Sequence, residues 1–301
     1  MKVFVAGASG AIGKPLIAEL IRLGHTVTGM TQSEAGAKKV IELGADAEIA
    51  NAFDGNAVEA ALHKSGAEIV IDQLTALPRN PADLSTALPL DRKLRLEGGA
   101  HLQRAAQATG VKRYIQQSSG FFLKGDGGLA DEFSPLATNA SPGISLGAQM
   151  YQQIEARTLQ SPIASVVLRY GFFYGPNTWY HPDGGAADQA RQQQLSVIGK
   201  GQGVWSFVHI EDAAVATAAA VATDAGVYNI VDDDPSPVSI WLPAFAKAVG
   251  ALAPANISED AARHSLGEDA VYYGTELSGA SNGKARRAFG FSPRKLEWLK
   301  S

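Results

Sequence analysis

Short apolar runs alternate with amphipathic windows through the first two thirds of the chain. Val3 to Ala6 is apolar and breaks into glycines, and a helical pattern follows from Pro15 to Leu23. His25–Thr31 reads as a second strand and Glu34–Leu43 as a helix stopped by Gly44. Ala45–Ala50 is a third strand, and Asp54 stands where the cap of the next helix is expected. Ala67–Leu74 (AEIVIDQL) is nearly all apolar on its inner part, which suits a strand covered on both faces. A long helix is expected over about Leu90–Thr109, a fifth strand over Val111–Ser118, a helix over Ser145–Leu159 and a sixth strand over Ile163–Tyr170. This alternation predicts an α/β fold, a Rossmann-type doubly wound parallel sheet.

The pattern loosens after Tyr170. Phe172 to Gly203 is rich in Gly, Pro, Asn and aromatics, with a helical window at Ala186–Gln194. Val204–Val208 reads as a short strand, Glu211–Ala222 as a helix and Gly226–Val231 as a last sheet strand. Beyond Asp232-Asp233-Asp234-Pro235, helices are expected over Ile240–Val249 and Asn282–Phe289. The expected division is a dinucleotide-binding domain (1–170 plus 201–231) and a smaller, mainly C-terminal substrate lobe (171–200 plus 232–301).

Composition narrows the chemistry. A net charge of −4 gives no electrostatic reason to expect nucleic acid or an anionic membrane as partner. With no cysteine there is no disulfide, no thiolate catalysis and no cysteine metal site, and the six histidines show no metal-ligand spacing. The first apolar run is too short for a signal peptide, and Ala213–Ala222 is too short to span a bilayer, so a cytoplasmic protein is expected.

Gly7, Gly10 and Gly13 stand at the spacing G-x-x-G-x-x-G between a strand and a helix, with Ser9, Ala11 and Ile12 among them. Glycines there allow a sharp turn and close approach of a pyrophosphate to the helix N-terminus, whose unpaired N–H groups favour an anion. At the end of the second strand, where an acid would bond a ribose 2′-hydroxyl, the chain has Thr31, Gln32 and Ser33. Nothing there repels a 2′-phosphate, although no Arg is present to bind one, so NADP is expected ahead of NAD. Lys38 and Lys39 lie a turn further on. Asp54, Leu74, Thr75, Ala76 and Tyr170 follow or end other strands and complete the expected cofactor residues; Gln73, Gln117, Ser118 and Ser119 line the same carboxyl edge.

GASGAIG, VKRYIQQSS, the helix with Tyr151, RYGFFYGP, FVHIED and GVYNIVDD together resemble the short-chain dehydrogenase/reductase superfamily, in its extended and atypical NAD-dependent epimerase/dehydratase branch. The resemblance implies hydride transfer between a nicotinamide and a carbonyl or alcohol carbon. It implies that Ser119 is the serine that bonds the substrate oxygen and that Tyr151 moves the hydroxyl proton. The family's lysine, four residues after the tyrosine, is Glu155 here. A lysine one turn away would favour the phenolate; a carboxylate does the reverse and leaves Tyr151 as a neutral proton donor. Lys124 and Arg169 are the cations that could substitute, and Glu155 could accept ribose hydroxyls. His209 and Asp212 read as a hydrogen-bonding histidine and a helix-starting acid.

Tyr170, Phe172, Phe173, Tyr174, Trp179 and Tyr180 crowd the end of the sixth strand, which favours a small-molecule substrate that is partly apolar or aromatic. Two rivals stand beside a reductase: an NAD-retaining sugar epimerase or dehydratase, and a non-catalytic NADP(H)-binding redox sensor. Glu155→Lys should raise NADPH-dependent activity in the first reading and stay silent in a sensor. The resemblance also implies a homodimer through helices at about 90–109 and 145–159.

Overall fold

A computed structural model describes residues 1–299. The chain opens with β1 (Lys2–Ala6), α1 (Gly13–Arg22), β2 (Thr26–Thr31), α2 (Glu34–Glu42), β3 (Asp46–Ile49), α3 (Gly55–Ser65) and β4 (Ile69–Asp72). It continues through α4 (Leu84–Lys93), a π-helical turn (Leu94–Gly98), α5 (Gly99–Ala108), β5 (Arg113–Ser119), α6 (Pro142–Leu159) and β6 (Ala164–Tyr170). β11 (Gly226–Ile230) completes a seven-stranded sheet of order β11-β6-β5-β4-β1-β2-β3. Every pairing in it is parallel.

Parallel pairing requires crossovers, and the crossover helices cover both faces. Alternate residues of β1 therefore enter different cores. Val3 and Val5 pack with α1, α2 and α8 (Ile210–Ala219), whereas Phe4 and Ala6 pack with α3 and α5. Chain direction across the sheet reverses between β1 and β4, which puts a crevice at their carboxyl ends.

The remaining elements are short: β7 (Phe172–Tyr174), α7 (Gly185–Arg191), β8 (Ser196–Ile198), β9 (Val204–Trp205), β10 (Phe207–His209), β12 (Ser236–Pro237), α9 (Val238–Ala248), β13 (Ala255–Ile257), α10 (Glu259–Leu266), α11 (Glu268–Thr275) and α12 (Gly283–Phe289). Tyr174, Phe207, Trp241, Phe245 and Trp298 form an aromatic core here, with Phe207 edge-on to Trp298 at 5.2 Å.

Several elements differ from the pattern in the sequence. The long helix begins at Leu84 rather than Leu90, because its first part buries only Asp91 and shows no apolar stripe, and it is interrupted by the π turn. The strand expected over Val204–Val208 splits at Ser206: Trp205 pairs antiparallel with Ser236, while Phe207 pairs parallel with Phe172. α10 and α11 were not expected; α10 buries only Ala262, and Gly267, at φ 90°, separates the two. Among the described residues no helix is long and apolar enough to cross a membrane.

Candidate active site

The glycine turn is built for close approach. Gly7 has φ 79°, and a Cβ there would collide with the backbone of Gln73 beyond β4. A Cβ on Gly13 would strike the backbone carbonyl of Ala8. Gly10 donates its N–H to the Gly7 carbonyl at 3.0 Å. Ile12 packs into the core, whereas Ser9, Gly10 and Ala11 are exposed, and no side chain caps α1. With no side-chain cap, the start of α1 at the carboxyl edge of the sheet is suited to a pyrophosphate.

Next to it, Thr31 is buried and its hydroxyl donates to the Ser33 carbonyl at 3.0 Å. The Ser33 hydroxyl caps α2 by accepting from Gly36 N–H. Gln32, Lys38 and Lys39 are exposed. Asp54 caps α3, accepting from the N–H groups of Asn56 and Ala57 at 3.1 Å. That task accounts for its carboxylate without a ligand.

Three buried polar atoms at the crevice have no partner among the described residues: Gln73 Oε1, Gln117 Oε1 and Ser119 Oγ. Each would cost on the order of 1–3 kcal/mol if left so, and a ligand with hydrogen-bonding groups would satisfy them. Leu74 is buried beside them. Tyr170 does not join this set. Its hydroxyl receives Gln73 Nε2–H at 3.0 Å and meets Thr217 Oγ1 at 2.6 Å, and burial pushes its pKa up to about 12. It positions Gln73 instead of facing a ligand.

Ser118 and Ser119 point to opposite faces of β5. Ser118 donates to Glu155 Oε1 on α6 at 2.6 Å; no hydrogen bond joins Ser119 to Tyr151. Glu155 is buried, and Arg169 grips it with Nε at 2.8 Å and Nη2 at 2.7 Å. Both oxygens are thus engaged, so Glu155 is not free for ribose hydroxyls. Arg169 in turn is spent on Glu155, and Lys124 is exposed on the loop after β5. Neither takes the lysine's place.

Tyr151 is buried, and that burial raises its hydroxyl pKa above the ordinary value; Arg95 opposes the rise, and Asp91 and Glu155 add to it. Arg95 is the neighbour that spacing does not reveal. Its guanidinium carbon lies 5.5 Å from the centre of the Tyr151 ring. Asp91 accepts from Arg95 Nε at 2.7 Å, from the Thr75 hydroxyl at 2.8 Å and from Ala76 N–H at 2.7 Å. The expected crevice residues Thr75 and Ala76 are therefore tied to the tyrosine through one carboxylate.

A run of buried and half-buried rings in tilted and stacked contact leads on from Tyr151. Phe122 lies 5.6 Å from it, Phe121 stacks on Phe172 at 4.3 Å, and Phe172 on Trp205 at 4.1 Å. Tyr273 follows at 5.6 Å from Trp205. Of the six aromatics singled out by sequence, Phe172 stands in this wall and Tyr180 lies edge-on to it at 6.5 Å. Tyr174 is core, Phe173 packs on Tyr170, and Trp179 donates to the Pro78 carbonyl at 2.9 Å. Phe121, Trp205 and Tyr273 come from separate segments, so no local cluster announces them. His209 is buried and caps α8, and Asp212, in the first turn of α8, holds Arg294. Among the described residues there is no metal-binding cluster.

The chain matches the model of the NAD dependent epimerase/dehydratase family over residues 3–231. It is 36% identical to the 3-diazoavenalumate denitrifying reductase of a Streptomyces species, over 99% of this chain and 98% of that protein. It is 24% identical to 4-hydroxy-2-methyl-3-oxo-4-farnesyl-3,4-dihydroquinoline-1-oxide ketoreductase of Stigmatella aurantiaca, over 98% and 92% of the two chains. In fold it is similar to Thermus thermophilus UDP-glucose 4-epimerase in complex with NAD, at TM-score 0.75 and 22% identity over 99% and 96% of the chains. It is likewise similar to the dTDP-glucose 4,6-dehydratase DesIV of Streptomyces venezuelae, at TM-score 0.76 and 17% identity over 99% and 93%. The glycine cradle, the all-parallel sheet and these matches lead to one conclusion: the chain belongs to the NAD dependent epimerase/dehydratase family of oxidoreductases and is an enzyme that works with a nicotinamide cofactor.

Proposed function

We propose that this enzyme is an NADP(H)-dependent reductase of a small, planar, aromatic or conjugated substrate, with Tyr151 as proton donor. The observation that carries the proposal is the continuity of Tyr151 with the wall of Phe122, Phe121, Phe172 and Trp205. A run of rings in tilted and stacked contact favours a flat, apolar partner over a sugar. The reductase and ketoreductase relatives point in the same direction.

The cofactor, when bound, supplies hydride to an electrophilic carbon of the substrate. Gly7, Gly10 and Gly13 let the backbone N–H groups of α1 reach the pyrophosphate. Gln73, Gln117 and Ser119 would satisfy their unpaired atoms on the polar groups of the same ligand. Thr31, Gln32 and Ser33 place no carboxylate where a 2′-phosphate would sit, which favours NADP. Tyr151 then gives its proton to the oxygen that gains negative charge as hydride arrives, and solvent returns a proton to the phenolate. Burial keeps Tyr151 protonated, the form a donor needs in the reductive direction. In this reading residues 1–170 plus 201–231 hold the cofactor, except that the stretch with Trp205 and Phe207 packs with the smaller lobe, and 171–200 plus 232–299 close over the substrate.

The test is NADPH consumption against a panel of aromatic ketones and diazo acids, set beside product analysis of UDP-glucose and dTDP-glucose, whose epimerisation or dehydration consumes no net nicotinamide. Turnover of the flat compounds, with KM raised about tenfold or more in Trp205→Ala and NADPH bound more tightly than NADH, is expected. Turnover of the nucleotide sugars alone would overturn the reading.

A further inference from the structure

We infer that Arg95, on the π turn before α5, supplies the positive charge that this site lacks at position 155, and that it does so through the face of the Tyr151 ring. The inference rests on Tyr151 being the proton donor. A guanidinium within about 6 Å of a ring centre is attracted to the π face and favours negative charge on that ring. The observed separation is 5.5 Å, and both groups are buried, where screening by solvent is weak.

Arg95 is held for this position from two sides. Asp91 takes its Nε–H at 2.7 Å, and Thr75 Oγ1 takes its Nη2–H at 2.9 Å. Arg157, on the same helix as Tyr151, donates to the Leu96 carbonyl at 2.8 Å and so ties the π turn to α6. π-helical turns inside helices recur at functional positions, because they re-aim a side chain that a regular turn would direct elsewhere. Here the turn spans Leu94–Gly98 and directs Arg95 at the tyrosine.

The other charges around Tyr151 leave this role to Arg95. Asp91 is shared among Arg95, the Thr75 hydroxyl and Ala76 N–H, which spreads its charge. Glu155 is matched by Arg169. Tyr273, from α11, is itself held neutral by burial and responds to charge on Tyr151. A buried Asp–Arg pair adds little to stability compared with apolar residues of the same volume, so fold alone gives weak reason for this one. Arg95 is a positioning residue: it acts on the donor, and through it on the substrate.

The experiment incorporates meta-fluorotyrosine, identifies the Tyr151 resonance by its loss in Tyr151→Phe, and follows its titration by fluorine NMR. Arg95→Met should raise the Tyr151 midpoint by about one pH unit or more, and Arg95→Lys should restore it to within about half a unit. In parallel, kcat should fall about tenfold or more in Arg95→Met with the nucleotide KM unchanged. If Arg95→Met does not fold, Arg95→Gln retains donors for Asp91 and Thr75 and carries the same expectation. An unmoved midpoint in the folded neutral variant overturns the inference. Wild-type turnover in Tyr151→Phe would instead overturn the proton-donor reading, while the midpoint still decides whether Arg95 and Tyr151 are coupled.

Discussion

The guanidinium of Arg169 grips both carboxylate oxygens of Glu155, at 2.8 and 2.7 Å, one helical turn beyond Tyr151. Arg169 lies on β6 and Glu155 on α6, so the pair joins sheet to helix directly beneath the proposed donor. Both side chains are only 8% exposed. Removing one member of a buried pair leaves the other charge stranded, at a cost of about 3–5 kcal/mol. Glu155→Gln should therefore lower unfolding free energy by that order in urea denaturation. Glu155→Lys, which faces Arg169 with a second cation, should be worse and should not raise NADPH-dependent activity, contrary to the expectation from sequence. A stable, more active Glu155→Lys variant would show that the pair is dispensable.

The glycine turn separates folding from binding. A Cβ at Gly10 meets only the Gly7 carbonyl, at 3.1 Å, and the residue is exposed. Gly10→Val should leave the melting temperature within a few degrees of wild type and weaken dinucleotide binding at least about tenfold, since the bulk stands where the pyrophosphate approaches. Gly13→Ala, whose Cβ strikes the Ala8 backbone, should lose stability as well as binding. Calorimetric titration and thermal melts distinguish the two. Undiminished binding in Gly10→Val would place the nucleotide elsewhere.

Asp232 predicts a pH dependence of stability. It is 1% exposed, its Oδ2 has no partner, and burial, with Asp234, Asp233 and Asp212 nearby, pushes its carboxyl up to about 8. The unfolded carboxyl titrates near 4 (about 3.9 in free peptides). Between these values the folded state holds a proton that the unfolded state has released, so this contribution is fully present below about pH 4 and is lost as pH rises through about 8. Asp232→Asn, a neutral stand-in for the protonated acid, should flatten the decline in melting temperature between about pH 5 and pH 8. Parallel curves for the two proteins would contradict this.

Much of the sheet was legible because apolar runs report strands covered on both faces: β2, β3, β4 and β6 fall within the runs that announced them, and β1 and β5 each extend one residue beyond. The glycine spacing was legible for a related reason, since a turn that touches neighbouring backbone excludes any Cβ. What failed was whatever depends on a partner distant in sequence. Arg169 was visible as a cation, but that its charge ends on Glu155 follows from the packing of β6 against α6. Arg95 sits in a stretch with no apolar stripe, on an irregular turn, and its ring partner is 5.5 Å away across two helices. The aromatic wall likewise collects Phe121, Phe172, Trp205 and Tyr273 from four segments. Tyr170 and Asp54 were counted with the cofactor because of where they fall along the chain, whereas their hydrogen bonds serve Gln73 and the start of α3.

The central claim is that hydride passes to a flat substrate while Tyr151 supplies the proton. It is tested most directly with NADPH carrying deuterium at the transferable position, an aromatic ketone from the panel, and mass analysis of the product. The wild-type protein should place one deuterium on the reduced carbon, and Tyr151→Phe should slow product formation by about a hundredfold or more while binding NADPH as tightly. Unlabelled product, or labelled product formed equally fast by Tyr151→Phe, would contradict the account.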